Sequence, residues 1–156
     1  MEVEIRPARE DDVEPLVALS RRTVAAKYAA FLGQDAVRSY IESGAVDQYV
    51  ADSIGRCHVL VGDGQVVGLT VTQYNLIDLM MIDIDFHRGG LGTRLLRHVE
   101  VLLFNRYETL LLESFQDNAQ ANAFYQKNGW TATRTYNDEA SGANKIEFQK
   151  RRSKLM

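Results

Sequence analysis

The stretch from Leu79 to Leu103 constrains the fold of this chain more than any other. A nearly all-apolar run, Leu79 to Ile84, leads into the glycine-rich sequence His-Arg-Gly-Gly-Leu-Gly-Thr at positions 87–93. Apolar residues then recur at helical spacing from Leu91 to Leu103, so the pattern predicts a buried strand, a tight loop and an amphipathic helix. A strand that is apolar on both faces is typical of a sheet with helices on either side.

The glycine loop suits an anionic ligand. Glycines let the backbone approach a ligand closely, and the first amides of the following helix have no partner within it, so they favour a phosphate. An ordinary glycine-rich helix cap is the alternative that the loop alone leaves open. A Walker loop would need a lysine after its last glycine, whereas Thr93 and Arg94 follow Gly92. A dinucleotide fingerprint would need glycine where Leu95 stands.

The remaining segments predict a mixed, mostly antiparallel sheet of about seven strands, flanked by about four helices. The predicted strands are 3–6, 58–61, 66–72, 79–84, 110–112, 130–136 and 145–148, and a hairpin at 62–65 joins the second to the third. Helical patterns follow Asp12, cover a broken stretch from 25 to 55, and return at 91–103 and 118–128, where Gly129 is the expected C-cap.

The bulk properties narrow the class of protein. A chain of 156 residues predicts a single domain, 1–156, with a basic tail that we expect to be frayed over residues 149–156. A net charge of −3 gives no general attraction to nucleic acid or anionic membranes. Cys57 is the single cysteine, and the sequence shows no Cys and His residues at the spacing of a zinc site. The N-terminal residues contain no apolar core of a signal peptide, and no apolar run is long enough to predict a membrane span. We therefore expect a cytoplasmic protein without a metal site.

A second motif lies downstream of the loop. Residues 118–130 read Asn-x-x-Ala-x-x-Phe-Tyr-x-x-x-Gly-Trp, and a short capped helix would not explain the adjacent Phe124 and Tyr125. Together with the glycine loop and the order of elements, this motif resembles the GCN5-related N-acetyltransferase (GNAT) family from about residue 3 to residue 149. The resemblance implies the family's mixed sheet and acetyl-coenzyme A as cosubstrate.

The resemblance also implies which residues hold coenzyme A. The backbone of Met80, Met81 and Ile82 would pair with the pantetheine amides, and Asn118 would contact the cofactor near its pantetheine. The residues that would hold the pyrophosphate, mainly through backbone amides, are His87, Arg88, Gly89, Gly90, Leu91, Gly92 and Thr93. His87 departs from the family, which usually has Gln or Arg there, so we expect a weaker contact and an affinity for coenzyme A that changes with pH.

Two side chains are candidates for proton transfer. By resemblance, Tyr125 protonates the leaving thiolate, whereas a core tyrosine is the alternative. Glu113 follows an apolar run, where desolvation would favour a base, and in the subgroup that acetylates ribosomal-protein N-termini a glutamate with this spacing is the base. Water, Asp78 and Asp83 stay open as alternatives. Other branches of the family place a glutamate where this chain has Leu76.

We thus expect an N-acetyltransferase that moves an acetyl group from the coenzyme A thioester to a primary amine by direct attack. The alternative is a non-catalytic, acyl-coenzyme A-binding module used for regulation. The acceptor stays open between a small molecule, a peptide N-terminus and a lysine, and Tyr28, Tyr40 and Tyr49 are candidates to line its site. Dimers are common in the family, so a homodimer is an open expectation.

Overall fold

The computed structural model describes residues 1–87 and 89–154, which form a seven-stranded sheet and six α-helices. The strands are β1 (Val3–Pro7), β2 (Cys57–Gly62), β3 (Gln65–Gln73), β4 (Leu76–Ile82), β5 (Thr109–Phe115), β6 (Thr131–Asn137) and β7 (Asn144–Arg151). The helices are α1 (Val13–Lys27), α2 (Ala29–Leu32), α3 (Gln34–Glu42), α4 (Ala45–Ser53), α5 (Leu91–Phe104) and α6 (Ala119–Lys127).

The strand order is β1-β2-β3-β4-β5-β7-β6, and the β4–β5 pair is the parallel one in an otherwise antiparallel sheet. Helices α1, α3 and α4 bury Leu16, Val37 and Val50 against one face of the sheet. Helix α5 buries its apolar stripe against the other face, where Phe124 and Tyr125 of α6 also pack. The predicted fold class is therefore confirmed.

Strands β4 and β5 separate soon after they meet. Their register contains two rungs, Leu76 with Leu111 and Ile77 with Leu112, and no further rung within the described residues. A β-bulge opposite Thr72 in the β3–β4 pair leaves Asp78 without a partner in β3. From Asp78 onward β4 therefore presents an edge to the space between the two strands, and residues of β5 after Leu112 line the opposite side.

The structure corrects the bounds of two predicted elements. Strand β4 begins at Leu76 and ends at Ile82, whereas the apolar run predicted Leu79 to Ile84. Asp83 ends the strand because its carboxylate accepts a hydrogen bond from the Asp85 amide at 3.2 Å and starts a 3₁₀ turn. The broken helical stretch divides at Gly33 and Gly44, so it forms more helices than predicted.

The expectation of a frayed tail from residue 149 is wrong over its first residues. Strand β7 pairs with β5 as far as Arg151, and the Arg152 amide donates to the Glu108 carbonyl. The Lys150 ammonium lies 2.7 Å from the buried Glu100 carboxylate and 2.9 Å from the Asn128 carbonyl. Lys150 is thus a fixed part of the molecule, while residues 155 and 156 lie outside the described residues.

Candidate functional site

The gap between β4 and β5 opens into a groove of about 820 Å³. Ten of the predicted site residues line it: Met80, Met81, Ile82, His87, Gly90, Gly92, Thr93, Glu113, Asn118 and Tyr125. Leu91 does not, because its side chain packs in the core below α5. Gly89 is exposed beside the groove, and Arg88 lies outside the described residues. Side chains from distant parts of the sequence therefore meet in one space.

The amino end of α5 forms one wall of the groove. Gly90 has φ of +78°, a left-handed conformation that favours glycine, and it is the residue from which the helix starts. The amides of Leu91, Gly92 and Thr93 belong to the first turn, so they have no acceptor within the helix. A Cβ at Gly92 would lie 3.4 Å from the Phe124 ring, an ordinary contact distance, so α5 lies directly beside α6 at this point. The wall can hold an anion.

The exposed edge of β4 forms a second wall, and His87 interacts with its end. The His87 Nε2 atom lies 2.7 Å from the Ile82 carbonyl oxygen. A carbonyl only accepts hydrogen bonds, so Nε2 carries a proton and a neutral His87 has its free acceptor at Nδ1. The Ile82 carbonyl, predicted to face the pantetheine, is thus already bonded to the histidine.

Tyr125 reaches the groove from α6. Its ring packs against Phe124 and Phe148 at centroid distances of 5.4 Å and 5.8 Å. Burial raises the pKa of this phenol above its usual value, so the hydroxyl remains protonated at neutral pH. In the described part of the chain no group accepts a hydrogen bond from the Tyr125 hydroxyl. The side chain is a neutral proton donor that can serve a ligand.

Asn118 fixes the start of α6. Its side-chain oxygen accepts a hydrogen bond from the Ala121 amide at 3.3 Å, as an N-cap residue does. That bond uses the oxygen and leaves the side-chain NH₂ group as the part of Asn118 that can reach a ligand. The predicted cap and the predicted ligand contact are therefore compatible.

Two carboxylates lie where the strands separate. Glu113 follows Leu112 and Asp78 follows Ile77, so they occupy matched positions on neighbouring parallel strands. The Tyr136 hydroxyl donates to Glu113, and burial together with this carboxylate raises the pKa of Tyr136 to about 12. The Tyr49 hydroxyl donates to Asp78, and burial and this bond raise the pKa of Tyr49. Each carboxylate therefore has a neutral phenol as its partner.

Asp83, the other alternative for a base, is not at the groove. Its side chain is 2% exposed, and the Arg22 guanidinium lies 2.6 Å from it. This ion pair ties α1 to the end of β4. Of the two aspartates considered from sequence, Asp78 lines the groove and Asp83 does not.

An aromatic cluster that the sequence did not predict stands beside these carboxylates. Phe115 lies two residues after Glu113, and its ring is 5.7 Å from Tyr28 and 5.3 Å from Phe31. The Lys145 ammonium lies 5.2 Å above the Phe115 ring. Alternation along β5 places Phe115 on the same face as Glu113, which is the one signal that could have identified it. Tyr28, Tyr40 and Tyr49 line the groove as candidates proposed from sequence.

Residues 1–87 and 89–154 contain no group of three or more His, Cys, Asp or Glu side chains that could hold a metal ion. Within the same ranges, none of the helices combines the length and the apolar character that crossing a membrane requires.

Comparison with known proteins identifies relatives of this arrangement. The family model described as an acetyltransferase (GNAT) domain matches residues 20–152. The PaiA N-acetyltransferase of Thermoplasma acidophilum, solved in complex with coenzyme A, has a TM-score of 0.81 and 18% identity, over 97% of this chain and 100% of that one. No curated protein sequence matches the chain.

Two structures from Escherichia coli show the same fold. The solution structure of apo YjaB has a TM-score of 0.77 and 25% identity, covering 96% of this chain and 97% of that one. The ribosomal-protein-S18-alanine N-acetyltransferase has a TM-score of 0.72 and 20% identity, and the alignment covers 99% of both chains.

Proposed function

Because the chain belongs to the GNAT acetyltransferase family, we propose that it transfers an acetyl group from acetyl-coenzyme A to a primary amine. One observation carries the proposal. A helix amino end, an unpaired strand edge and a protonated tyrosine converge on a single groove. Solved relatives such as PaiA bind coenzyme A, which supports the same cosubstrate here.

The groove offers a separate type of contact for each part of the cosubstrate. The amides of residues 89–93 are donors for a diphosphate at the amino end of α5. Met80, Met81 and Ile82 lie on the part of β4 that β5 leaves unpaired, so their backbone groups, other than the Ile82 carbonyl that His87 already bonds, can bond the pantetheine amides as an added strand would. Asn118 contributes its NH₂ group. His87 and Arg88 complete the proposed set beside the diphosphate.

The proposed chemistry is direct attack. The amine nitrogen forms a bond to the thioester carbonyl carbon, and the carbon–sulfur bond breaks to release coenzyme A. Glu113, directly or through water, accepts the proton that the ammonium form of the acceptor must lose before it can attack. Tyr125 donates a proton to the departing thiolate; burial keeps its hydroxyl protonated at neutral pH until the thiolate forms beside it. The attached nitrogen then loses its extra proton, which restores the Tyr125 hydroxyl directly or through water, so the products are a neutral amide and a free thiol.

A non-catalytic module that binds acyl-coenzyme A is the second candidate. It would use the same groove but would show no turnover. The hydroxyl of Tyr125 and the carboxylate of Glu113, both available at the groove, favour the enzyme. The acceptor classes under consideration are small amines, peptide N-termini and lysine side chains, and a homodimer is compatible with the proposal.

Two measurements test the proposal. Isothermal titration with acetyl-coenzyme A should give one site per chain, and absence of binding would refute both candidates. A panel of amines, read by thiol release, should then give turnover with at least one acceptor class. Binding without turnover over a broad panel would favour the regulatory module instead.

A further inference from the structure

From the hydrogen bonds around Asp83 we infer that this buried carboxylate and Arg22 are positioning residues for cofactor binding. Together they hold the turn that leads from β4 to the glycine loop in the shape that binds the diphosphate. The inference rests on the proposed function, because it concerns the affinity of the same groove for acetyl-coenzyme A. Asp83 does not line the groove, so its effect reaches the ligand through the backbone between Ile82 and Gly90.

The first support is that each polar atom of Asp83 has a partner. Its amide donates to the Val67 carbonyl of β3 at 2.8 Å, and its carbonyl accepts from the Phe86 amide at 2.8 Å. Carboxylate oxygen Oδ1 accepts from the Asp85 amide at 3.2 Å, and Oδ2 accepts from the Arg22 guanidinium at 2.6 Å. Since the side chain is 2% exposed, water cannot readily replace these bonds. Asp83 thus fixes the direction in which the chain leaves the sheet.

The second support is the nature of the segment that follows. Phe86 ends the 3₁₀ turn and packs against the core below α5, and the His87 ring returns to the Ile82 carbonyl. Gly89 and Gly90 then have φ of +116° and +78°. Glycines restrict the backbone little, so the shape of this loop depends on the residues that precede it and on α5. A loop that is held in its binding shape before the ligand arrives binds more tightly.

The third support is the place of the cation that Asp83 requires. A carboxylate this deeply buried is strongly unfavourable without a partner charge, and Arg22 supplies that charge from α1. The same helix contributes Ser20 and Thr23 to the lining of the groove. The ion pair therefore fixes the start of the glycine loop relative to a wall of the groove, and not merely relative to the sheet.

Calorimetric titration of acetyl-coenzyme A into Asp83→Asn tests the inference. Asparagine has a similar volume but one side-chain oxygen, so it cannot accept from both Arg22 and the Asp85 amide as the two carboxylate oxygens do. The loop should then hold its binding shape in a minor fraction of molecules, and Kd should rise by the inverse of that fraction, about tenfold or more. With both substrates saturating, kcat should stay within about twofold, because the bound molecules share one loop shape.

The pair of Arg6 with Asp12 provides a matched control. Asp12 is also buried, and its carboxylate accepts from the Arg6 guanidinium at 2.8 Å and from the Arg9 amide at 2.7 Å. This pair joins β1 to the start of α1 and does not line the groove. Asp12→Asn should therefore lower the urea midpoint about as much as Asp83→Asn does, yet leave Kd for acetyl-coenzyme A within about twofold.

A double-mutant cycle tests whether the two residues act as a unit. Asp83→Asn and Arg22→Met should have non-additive effects on log Kd, because both remove the same contact. If Arg22→Met does not fold, the comparison of Asp83→Asn with Asp12→Asn decides alone.

Four outcomes overturn the inference. They are an unchanged Kd in Asp83→Asn, an equal rise of Kd in Asp12→Asn, additive effects in the cycle, and a loss of kcat in Asp83→Asn at normal Kd, which would place Asp83 in the chemistry. A native protein that binds no acetyl-coenzyme A would instead refute the proposed function, so the two failures are distinguishable.

Discussion

Replacement of Lys150 by methionine should destabilise the protein strongly, although the sequence predicted a frayed end there. Its ammonium is 2.7 Å from a Glu100 oxygen, and the Trp130 indole donates to the other oxygen at 3.0 Å. The side chain of Glu100 is 7% exposed and that of Lys150 is 19% exposed. Methionine fills a similar volume, so the variant mainly leaves a buried carboxylate without its cation.

The expected loss follows from that burial. Removal of one partner from a buried ion pair costs about 3–5 kcal/mol, because the remaining charge stays desolvated. The Trp130 hydrogen bond still stabilises the Glu100 carboxylate in the variant and lowers the cost, whereas the Asn128 carbonyl loses its Lys150 donor and raises it. We therefore expect a loss near the middle of the range, about 4 kcal/mol. Since the free energy of unfolding of a domain is about 5–15 kcal/mol, the variant should lose a large part of its stability.

Urea unfolding followed by tryptophan fluorescence is a direct assay, since Trp130 is the single tryptophan of the chain and contacts Glu100 itself. The matched control is Lys145→Met on the same strand, whose pair with Asp138 is 3.9 Å long and more exposed; it should cost less than about 1 kcal/mol. The double variant Glu100→Leu/Lys150→Met should recover much of the loss. A loss below about 1 kcal/mol in Lys150→Met would refute the reasoning.

Four further predictions address the groove and the core. Tyr125→Phe should lower kcat by about tenfold or more and leave affinity for acetyl-coenzyme A within about twofold; an unchanged rate would remove Tyr125 from the mechanism. Gly90→Val should abolish cofactor binding in calorimetry because its φ of +78° and its place at the helix start exclude a β-branched residue, whereas Gly64→Val, equally left-handed at +81° but in the β2–β3 hairpin, should bind normally. Gly68→Ala should cost about 1–3 kcal/mol in urea unfolding, because its Cβ would lie 2.8 Å from the Ile82 side chain and 3.0 Å from the Met81 carbonyl oxygen; an unchanged midpoint would contradict that packing. Cys57, buried in the core with a pKa raised by burial to about 12, should resist a thiol reagent at pH 8 until the protein is unfolded; rapid labelling of the native protein would show that the strand opens.

The local patterns of the sequence predicted most of the framework. The loop at Gly90 and the capped helix after Asn118 each carry their signal within about ten residues, so both were found with nearly correct bounds. The end of β4 was misjudged because Ile84 continues an apolar run while the Asp83 carboxylate caps a turn. Apolar character alone does not reveal that competition between a strand and a side-chain cap.

Other parts of the site depend on register, which a single sequence does not display. Asp78 reaches the groove because a bulge and a two-rung pairing place it beside Glu113. The contact of Tyr28 with Phe115 joins segments 87 residues apart in the chain. Lys150 looked like part of a solvated basic tail, since its partner Glu100 lies on a helix 50 residues earlier. Such pairings arise from tertiary packing rather than from local periodicity.

The short pairing between β4 and β5 also bears on how the molecule responds to its ligand. Within residues 1–87 and 89–154, the register pairs Leu76–Leu111 and Ile77–Leu112 link a four-stranded part of the sheet to a three-stranded part. A ligand whose amides bridge the gap would join these halves and should slow hydrogen exchange along β4 well beyond the residues that it touches. The apparent melting temperature should then rise with ligand concentration, so the substrate would also stabilise the sheet.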